Sequence, residues 1–314
     1  MASKRPRPWL AGVSFTFAAI ALLLCLAASA AASTGGAPTA AGAPAASGSP
    51  TGTPANEAPS AGTLSLVSAQ TAPRKSFFYG FRYPNVRFSI ASTQQQNDLQ
   101  IDVIDSTGEV ARSFYRNDVE PNVEVRIRWD GTTSEGRPAR NGRYSFRIEP
   151  QGGSEVAARA TTSSQPLSLG FALYGYAFPI LGPHEFGGSA GRFGAGRSGH
   201  THQGQDTMAD CGIPLVAARG GTVQYAGYQY AAGNYVVIDG KGTTLDFMYA
   251  HLAEPSPLKT GEEVRTGQPI GIVGDTGDAS ACHLHFEIWE APGWYEGGSP
   301  IDPLPYLEKW DAYS

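Results

Sequence analysis

The chain predicts an all-β protein: a small antiparallel β-sandwich followed by a second antiparallel β domain. Three observations point there. Glycine (39) and proline (23) are abundant, apolar residues alternate with period two over 74–152, and no helical period appears before Pro303–Trp310. Only 16% of residues are charged and the net charge is -5, so the chain lacks the basic footprint of a nucleic-acid binder.

Residues 1–32 have the form of an export signal. Lys4, Arg5 and Arg7 precede the uncharged apolar run Leu10–Leu26, and Ala28-Ser29-Ala30 and Ala30-Ala31-Ala32 are small-residue cleavage sites. An uncleaved anchor is the alternative, because Trp9–Ala32 is long enough to span a bilayer. In both cases the rest of the chain lies outside the membrane, secreted or in the cell envelope, where disulfides persist. From Ser33 to Gly62 the residues are almost only Ala, Gly, Pro, Ser and Thr, with Glu57 the single charge. Such a tract cannot bury enough apolar surface to offset its ordering entropy, and 33–73 is expected to be a disordered linker.

Residues 74–152 carry the alternating sets Val86/Phe88/Ile90, Leu99/Ile101/Val103, Val125/Ile127/Trp129 and Tyr144/Phe146/Ile148. Turn residues separate them at Asp105–Gly108, Asp130-Gly131 and Asn141-Gly142, the pattern of a sandwich. The Trp129-Asp130-Gly131 turn followed by Asn141-Gly142-x-Tyr144-x-Phe146-x-Ile148 resembles the immunoglobulin-like domain of flagellar hook-capping proteins. With no histidine or cysteine, the segment is expected to be a spacer, or a docking module for a cell-wall or protein partner. A polar linker (153–171) leads to the last domain, 172–310, where Gly220-Gly221, Gly233-Asn234, Gly261-Glu262, Gly274-Asp275 and Gly277-Asp278 punctuate short apolar strands.

The chemistry is concentrated in three segments of that domain. In Cys282-His283-Leu284-His285-Phe286-Glu287-Ile288, alternation puts both histidines on one face of a strand and the apolar residues on the other. His202 and Asp206 stand four residues apart, with Gly204 between them to permit a sharp bend. Adding His285 gives two imidazoles and one carboxylate, the three-ligand set of catalytic zinc, with a position left for the water that attacks an amide carbonyl. His251, in Tyr249-Ala250-His251-Leu252, and His283 remain as imidazoles for proton transfer or oxyanion stabilisation.

These segments, in this order, resemble the lysostaphin/LytM-type zinc endopeptidases, as do the framing Gly212–Ala218, Gly220–Val223, Gly267–Gly271, Gly274–Gly277 and Ile301-Asp302-Pro303. The resemblance implies an antiparallel β fold with a groove over the metal. It implies zinc ligands His202, Asp206 and His285, catalytic histidines His251 and His283, and hydrolysis of the stem or cross-bridge peptides of bacterial peptidoglycan. Some relatives have lost ligands and only activate other hydrolases; a catalytically silent wall-binding or regulatory protein is therefore the alternative, although no position of the pattern is substituted here.

Other residues have plainer expectations. His200 competes with His202 as ligand but lacks its spacing to Asp206, and His184 is expected on a surface loop. Tyr249 is expected to line the groove; Glu287 shares the face of His283 and His285 if the strand is regular, and orienting an imidazole is the alternative to a purely structural place for it. Phe178-Pro179-Ile180, within 173–199, is apolar enough to pack over the groove. Cys211 and Cys282, the cysteines left after export, are expected to form a disulfide, with free thiols or metal binding as alternatives.

Overall fold

The computed structural model describes residues 64–151 and 167–314. The expected export signal, Cys25, the linker up to residue 63 and the polar stretch 152–166 lie outside the described residues. The alternating segments become strands β1 (Leu64–Ala72), β2 (Lys75–Phe77), β3 (Asn85–Ser92), β4 (Asn97–Asp105), β5 (Val110–Val119), β6 (Val125–Arg128), β7 (Gly142–Pro150) and β8 (Gly170–Tyr174). They form two sheets, β1-β3-β6 and β2-β8-β7-β4-β5, over one shared core. Val86, Phe88, Ile90, Leu99, Ile101 and Val103 are fully enclosed in it, as alternation requires of residues on one face. Trp129 packs against Tyr144 and Phe171 at ring-centroid distances of 5.2 and 6.0 Å and donates its Nε1–H to Thr132 O.

The expected boundaries need correction at both ends. β1 occupies 64–72, within the expected linker. A bulge between Leu66 and Ser68 breaks its alternation, after which Ala69 and Thr71 take the inward positions. At the other end β8 belongs to the sandwich, with Phe171 and Leu173 in its core, so that lobe runs to Tyr174 rather than 152. β8 pairs antiparallel with β7 and parallel with β2, so this sheet is mixed rather than antiparallel.

The second lobe contains β9 (Glu185–Phe186), β10 (Gln205–Met208), β11 (Pro214–Val216), β12 (Gly221–Gln229), β13 (Gly233–Gly240), β14 (Leu245–Leu252), β15 (Glu263–Val264), β16 (Pro269–Ile272), β17 (His283–Glu290), β18 (Pro300–Ile301) and the helix α1 (Leu304–Asp311). Its main sheet has the order β15-β12-β13-β14-β17-β10-β9, with β18 added beside β17 and β11-β16 as a separate pair. Phe247, Tyr249, Leu284, Phe286 and Ile288 line one face of the sheet, and Leu307 and Trp310 of α1 complete that core. Asp302 Oδ1 accepts the Leu304 N–H and starts the helix. Phe178 and Ile180 also lie in this core, at 2% and 4% exposure, and do not cover a groove. The Cys211–Cys282 disulfide ties the loop after β10 to the start of β17.

The two lobes belong to one compact unit. Phe81 N–H donates to Thr266 O (2.8 Å), Thr266 N–H to Tyr79 O (3.0 Å) and the Thr266 hydroxyl to Phe78 O (2.7 Å). Beside them Arg219 is buried with no carboxylate partner among the described residues. Its guanidinium donates to Gly175 O (2.6 Å) and Lys241 O (2.7 Å) and lies over the rings of Phe78 (4.1 Å) and Tyr176 (5.0 Å). Burial lowers its pKa to about 10, which still leaves it charged at neutral pH.

Arg219→Ala removes a buried cation that satisfies the Gly175 and Lys241 carbonyls and lies over the Phe78 ring of the sandwich. It is expected to lower stability to urea by about 2–4 kcal/mol; a loss under 0.5 kcal/mol would show the junction to be incidental. Reduction of Cys211–Cys282, which closes a 71-residue separation, is expected to cost about 4 kcal/mol in the chain-entropy account. Melting with and without reductant measures it, and coincident transitions would contradict it.

Candidate metal centre

The register of two strands creates the site. β10 and β17 run antiparallel with Asp206 opposite His285 and Met208 opposite His283. Asp206 and His285 therefore leave neighbouring strands on one face at one level. Asp206 Oδ1 lies 2.9 Å from His285 Nδ1 and 3.0 Å from His202 Nε2, and the two imidazole nitrogens are 2.9 Å apart. His202 arrives from the turn before β10, where its backbone pairs with Gly194 and Ala195. Gly204 sits between them for close approach: a Cβ there would lie 2.8 Å from the Cε1 and Nε2 atoms of His285. The bend expected of this glycine is not the reason for it.

The outer atoms of this set are tied to the protein. His202 Nδ1–H donates to Arg192 O at 2.9 Å, which leaves its Nε2 lone pair facing inward. His285 Nε2–H donates to Glu287 Oε1 at 2.9 Å, and Glu287 Oε2 accepts the Trp289 indole N–H at 2.6 Å. Arg197 Nη2 donates to Asp206 Oδ2 at 3.3 Å and its Nη1 to Ala190 O at 2.7 Å, holding the carboxylate by its outer oxygen. Sequence reasoning missed Arg197, which reaches Asp206 only because a glycine-rich loop folds back over β10.

Two carboxylates thus flank His285, one at each ring nitrogen. Burial by itself would lower the His285 pKa, but the hydrogen bonds its ring donates to Asp206 and Glu287 outweigh it and push it up to about 9. Burial likewise opposes ionisation of Asp206, yet His202 and His285 hold it well below the usual carboxylate range. Glu287 is also lowered against its burial, by His285 and Trp289. These atoms require positive charge at their centre. A proton on His285 or a metal ion that displaces it can provide it, and His202, Asp206 and His285 form a group that could hold a metal.

His251 and His283 stand on the rim of this group. His251 Nδ1–H donates to Thr276 O at 2.7 Å and His283 Nδ1–H to Ala281 O at 2.8 Å, so both present Nε2. Their rings are 4.7 Å apart, and His283 Nε2 is 3.5 Å from Asp206 Oδ1. Burial lowers the His251 pKa to about 4, so it is a neutral base near pH 7. His251 has φ +62, a left-handed conformation disfavoured for a residue with a Cβ. That conformation takes it off the regular alternation, and Tyr249 two residues earlier does not share its environment. Tyr249 is fully buried in the core with its hydroxyl accepting the Ala218 N–H, which corrects the expectation of a groove residue.

Two other histidines are outside the site. His200 is exposed and contacts Ser198 O, and His184 lies in the loop before β9, half-buried against Phe178 at 4.3 Å. The sulfurs of Cys211 and Cys282 are joined to each other and leave no thiolate for a metal.

Comparison with known proteins agrees with this arrangement. The peptidoglycan DD-endopeptidase ShyC of Vibrio cholerae is 42% identical over 87 residues, 28% of this chain and 20% of that protein. The lipoprotein NlpD/LppB homolog of Pseudomonas aeruginosa is 33% identical over 149 residues, 48% and 45% of the two. Lysostaphin of Staphylococcus staphylolyticus is 31% identical over 131 residues, 41% and 26% of the two. The chain spans less than half the length of each. Residues 200–303 match the model of peptidase family M23, and they include all five residues of the metal group and its rim. The C-terminal lobe thus carries a match to peptidase family M23 over residues 200–303, and lysostaphin is among the relatives this chain resembles.

Proposed function

We propose that the chain is a zinc metalloendopeptidase that acts outside the membrane and hydrolyses peptide bonds in bacterial peptidoglycan. The observation that carries this reading is the convergence of His202 Nε2, His285 Nδ1 and Asp206 Oδ1 within 3.0 Å, while their outer atoms are tied to Arg192 O, Glu287 and Arg197. Two neutral nitrogens and one carboxylate are the donor set of catalytic zinc. Zinc held there would supply Lewis acidity to the scissile carbonyl and acidify the attacking water.

The protein's own groups do the rest. His251, neutral and tethered at Nδ1, accepts a proton at Nε2 and returns it to the leaving amine. His283, its Nε2 beside the metal group, donates toward charge that develops on the carbonyl oxygen. Substrate follows from kinship: the names of two relatives, a peptidoglycan endopeptidase and lysostaphin, favour peptidoglycan stem or cross-bridge peptides. A silent regulator would need none of these groups, and all five remain in place.

Metal analysis and peptide-release kinetics on purified walls test the roles together. Asp206→Ala is expected to lose zinc and activity; His251→Ala is expected to keep about one zinc and lose about 10²–10⁴-fold in kcat. Zinc loss in both, or undiminished turnover in His251→Ala, would overturn the assignment. Glu287→Gln keeps the shape but removes the charge behind His285, and is expected to weaken zinc affinity about 10–100-fold in a chelator competition. Unchanged affinity would show that Glu287 serves only packing.

A further inference from the structure

The sheet β1-β3-β6 turns one face to the sandwich core and the other to solvent. On the outer face Arg87 of β3 stands directly opposite Arg126 of β6, and Arg128 is opposite Asn85. All three arginines are exposed, and the two-residue period puts them on one face. Like charges directly opposite each other destabilise a sheet. Among the described residues, the ion pairs of arginine and lysine involve Arg147, Arg197 and Lys241, and none of these three. Arg126 instead donates its Nε–H to Asn85 Oδ1 at 3.1 Å. Partial desolvation, Arg128 and Arg87 lower its proton affinity, with Glu124 opposing.

The rest of the molecule makes this cluster unusual. Over 167–314 there are seven Lys and Arg against sixteen Asp and Glu, whereas over 64–151 there are twelve against ten. Positive charge is thus concentrated on the lobe without catalytic groups. The three side chains are about 5 Å apart across the strands and roughly 7 Å apart along β6, a spacing that suits a row of anions better than one. Guanidinium groups present the planar fork that pairs with phosphate oxygens. Around them Gln70 is exposed and Ser68 and Ser89 hydrogen-bond each other at 2.8 Å. Among the described residues of β1, β3 and β6 the exposed large hydrophobic is Val67 in the β1 bulge, and no exposed aromatic is present to enter a bilayer.

We propose that the Arg87–Arg126–Arg128 face binds a linear phosphodiester polymer of the cell envelope and so holds the catalytic lobe against its solid substrate. The contact is flat and wet, so each phosphate contributes little and binding depends on salt.

The test uses the full chain and the variant Arg87→Gln/Arg126→Gln/Arg128→Gln. Inorganic polyphosphate is the soluble probe, and purified walls with and without hydrofluoric-acid removal of phosphate are the solid one. Wild type is expected to bind polyphosphate and untreated walls. The variant is expected to lose at least tenfold in affinity at low salt, with a log–log salt slope smaller by about 2, near 0.7 for each phosphate. Its melting temperature should stay level or rise, and its cleavage of a soluble peptide should not change. Equal binding by wild type and variant would overturn the proposal. So would undiminished retention on phosphate-stripped walls, or wild-type binding to phosphatidylglycerol vesicles but not to polyphosphate. These readouts are independent of the zinc reading, since an inactive protein would still report on this face.

Discussion

His285 lies between two carboxylates, the half-buried Asp206 and the buried Glu287, and the antiparallel register of β10 with β17 is what puts it there. A slip of one residue would turn Asp206 to the opposite face and leave Glu287 buried beside an imidazole with no second anion to hold it. Glu287 is 6% exposed, and a charge that deep is tolerated only when it is paired. The Trp289 indole and the His285 ring supply that pairing, and the same contacts fix which nitrogen of His285 faces Asp206. Folding of the sheet and assembly of the cation site are therefore one event. The Cys211–Cys282 bridge reinforces it by joining the segments that follow β10 and precede β17.

Legibility in the sequence followed how local each signal was. His283 and His285 on one strand face, and the four-residue step from His202 to Asp206, are short-range patterns, and the structure gathers these residues. Buried strands such as β3, β4 and β7 were equally plain, because each alternates without interruption. β1 was hidden by its bulge, and β5 by lying at a sheet edge, where most of its residues stay exposed and no alternation is needed. Tyr249 was misjudged as a groove residue, since nothing in the residue types announces φ +62 at His251 two residues later. Gly204 was singled out for the wrong reason: the space a glycine leaves for a partner ring depends on a strand some 80 residues away. Arg197 carried no signal at all, as its contact with Asp206 depends on the path of a loop.

The sandwich meets the C-terminal lobe at the edge of the sheet farthest from that site. β15 is an edge strand, with unpaired backbone groups of the kind that recruit other chains. The segment Tyr79–Phe81 lies along the chain just beyond it, exchanging backbone hydrogen bonds with Thr266, while the Tyr79 hydroxyl reaches Glu263 at 2.7 Å. Lys241 and Arg265 close over the Tyr79 ring at 4.2 Å each. Four strand steps separate β15 from β17, roughly 19 Å at ordinary strand spacing. The sandwich can therefore cap the edge without supplying a residue to the metal group.

That separation also explains how one chain can carry opposite electrostatic demands. A site that gathers positive charge around the half-buried Asp206 and the buried Glu287 gains from an acidic surrounding lobe, and the proposed polyanion surface would need the reverse. Exposed charges more than a Debye length apart, about 10 Å in ordinary buffers, hardly feel each other. An arginine face on the outer sheet of the sandwich, beyond an interface already about 19 Å from β17, leaves the potential at Asp206 and Glu287 essentially unchanged. Placed instead on β9, beside the strand that bears Asp206, the same three arginines would compete for that carboxylate with any cation the group takes up. The docking of the lobes at the β15 edge is thus compatible with both kinds of binding, whereas docking at the β9 edge would set them against each other.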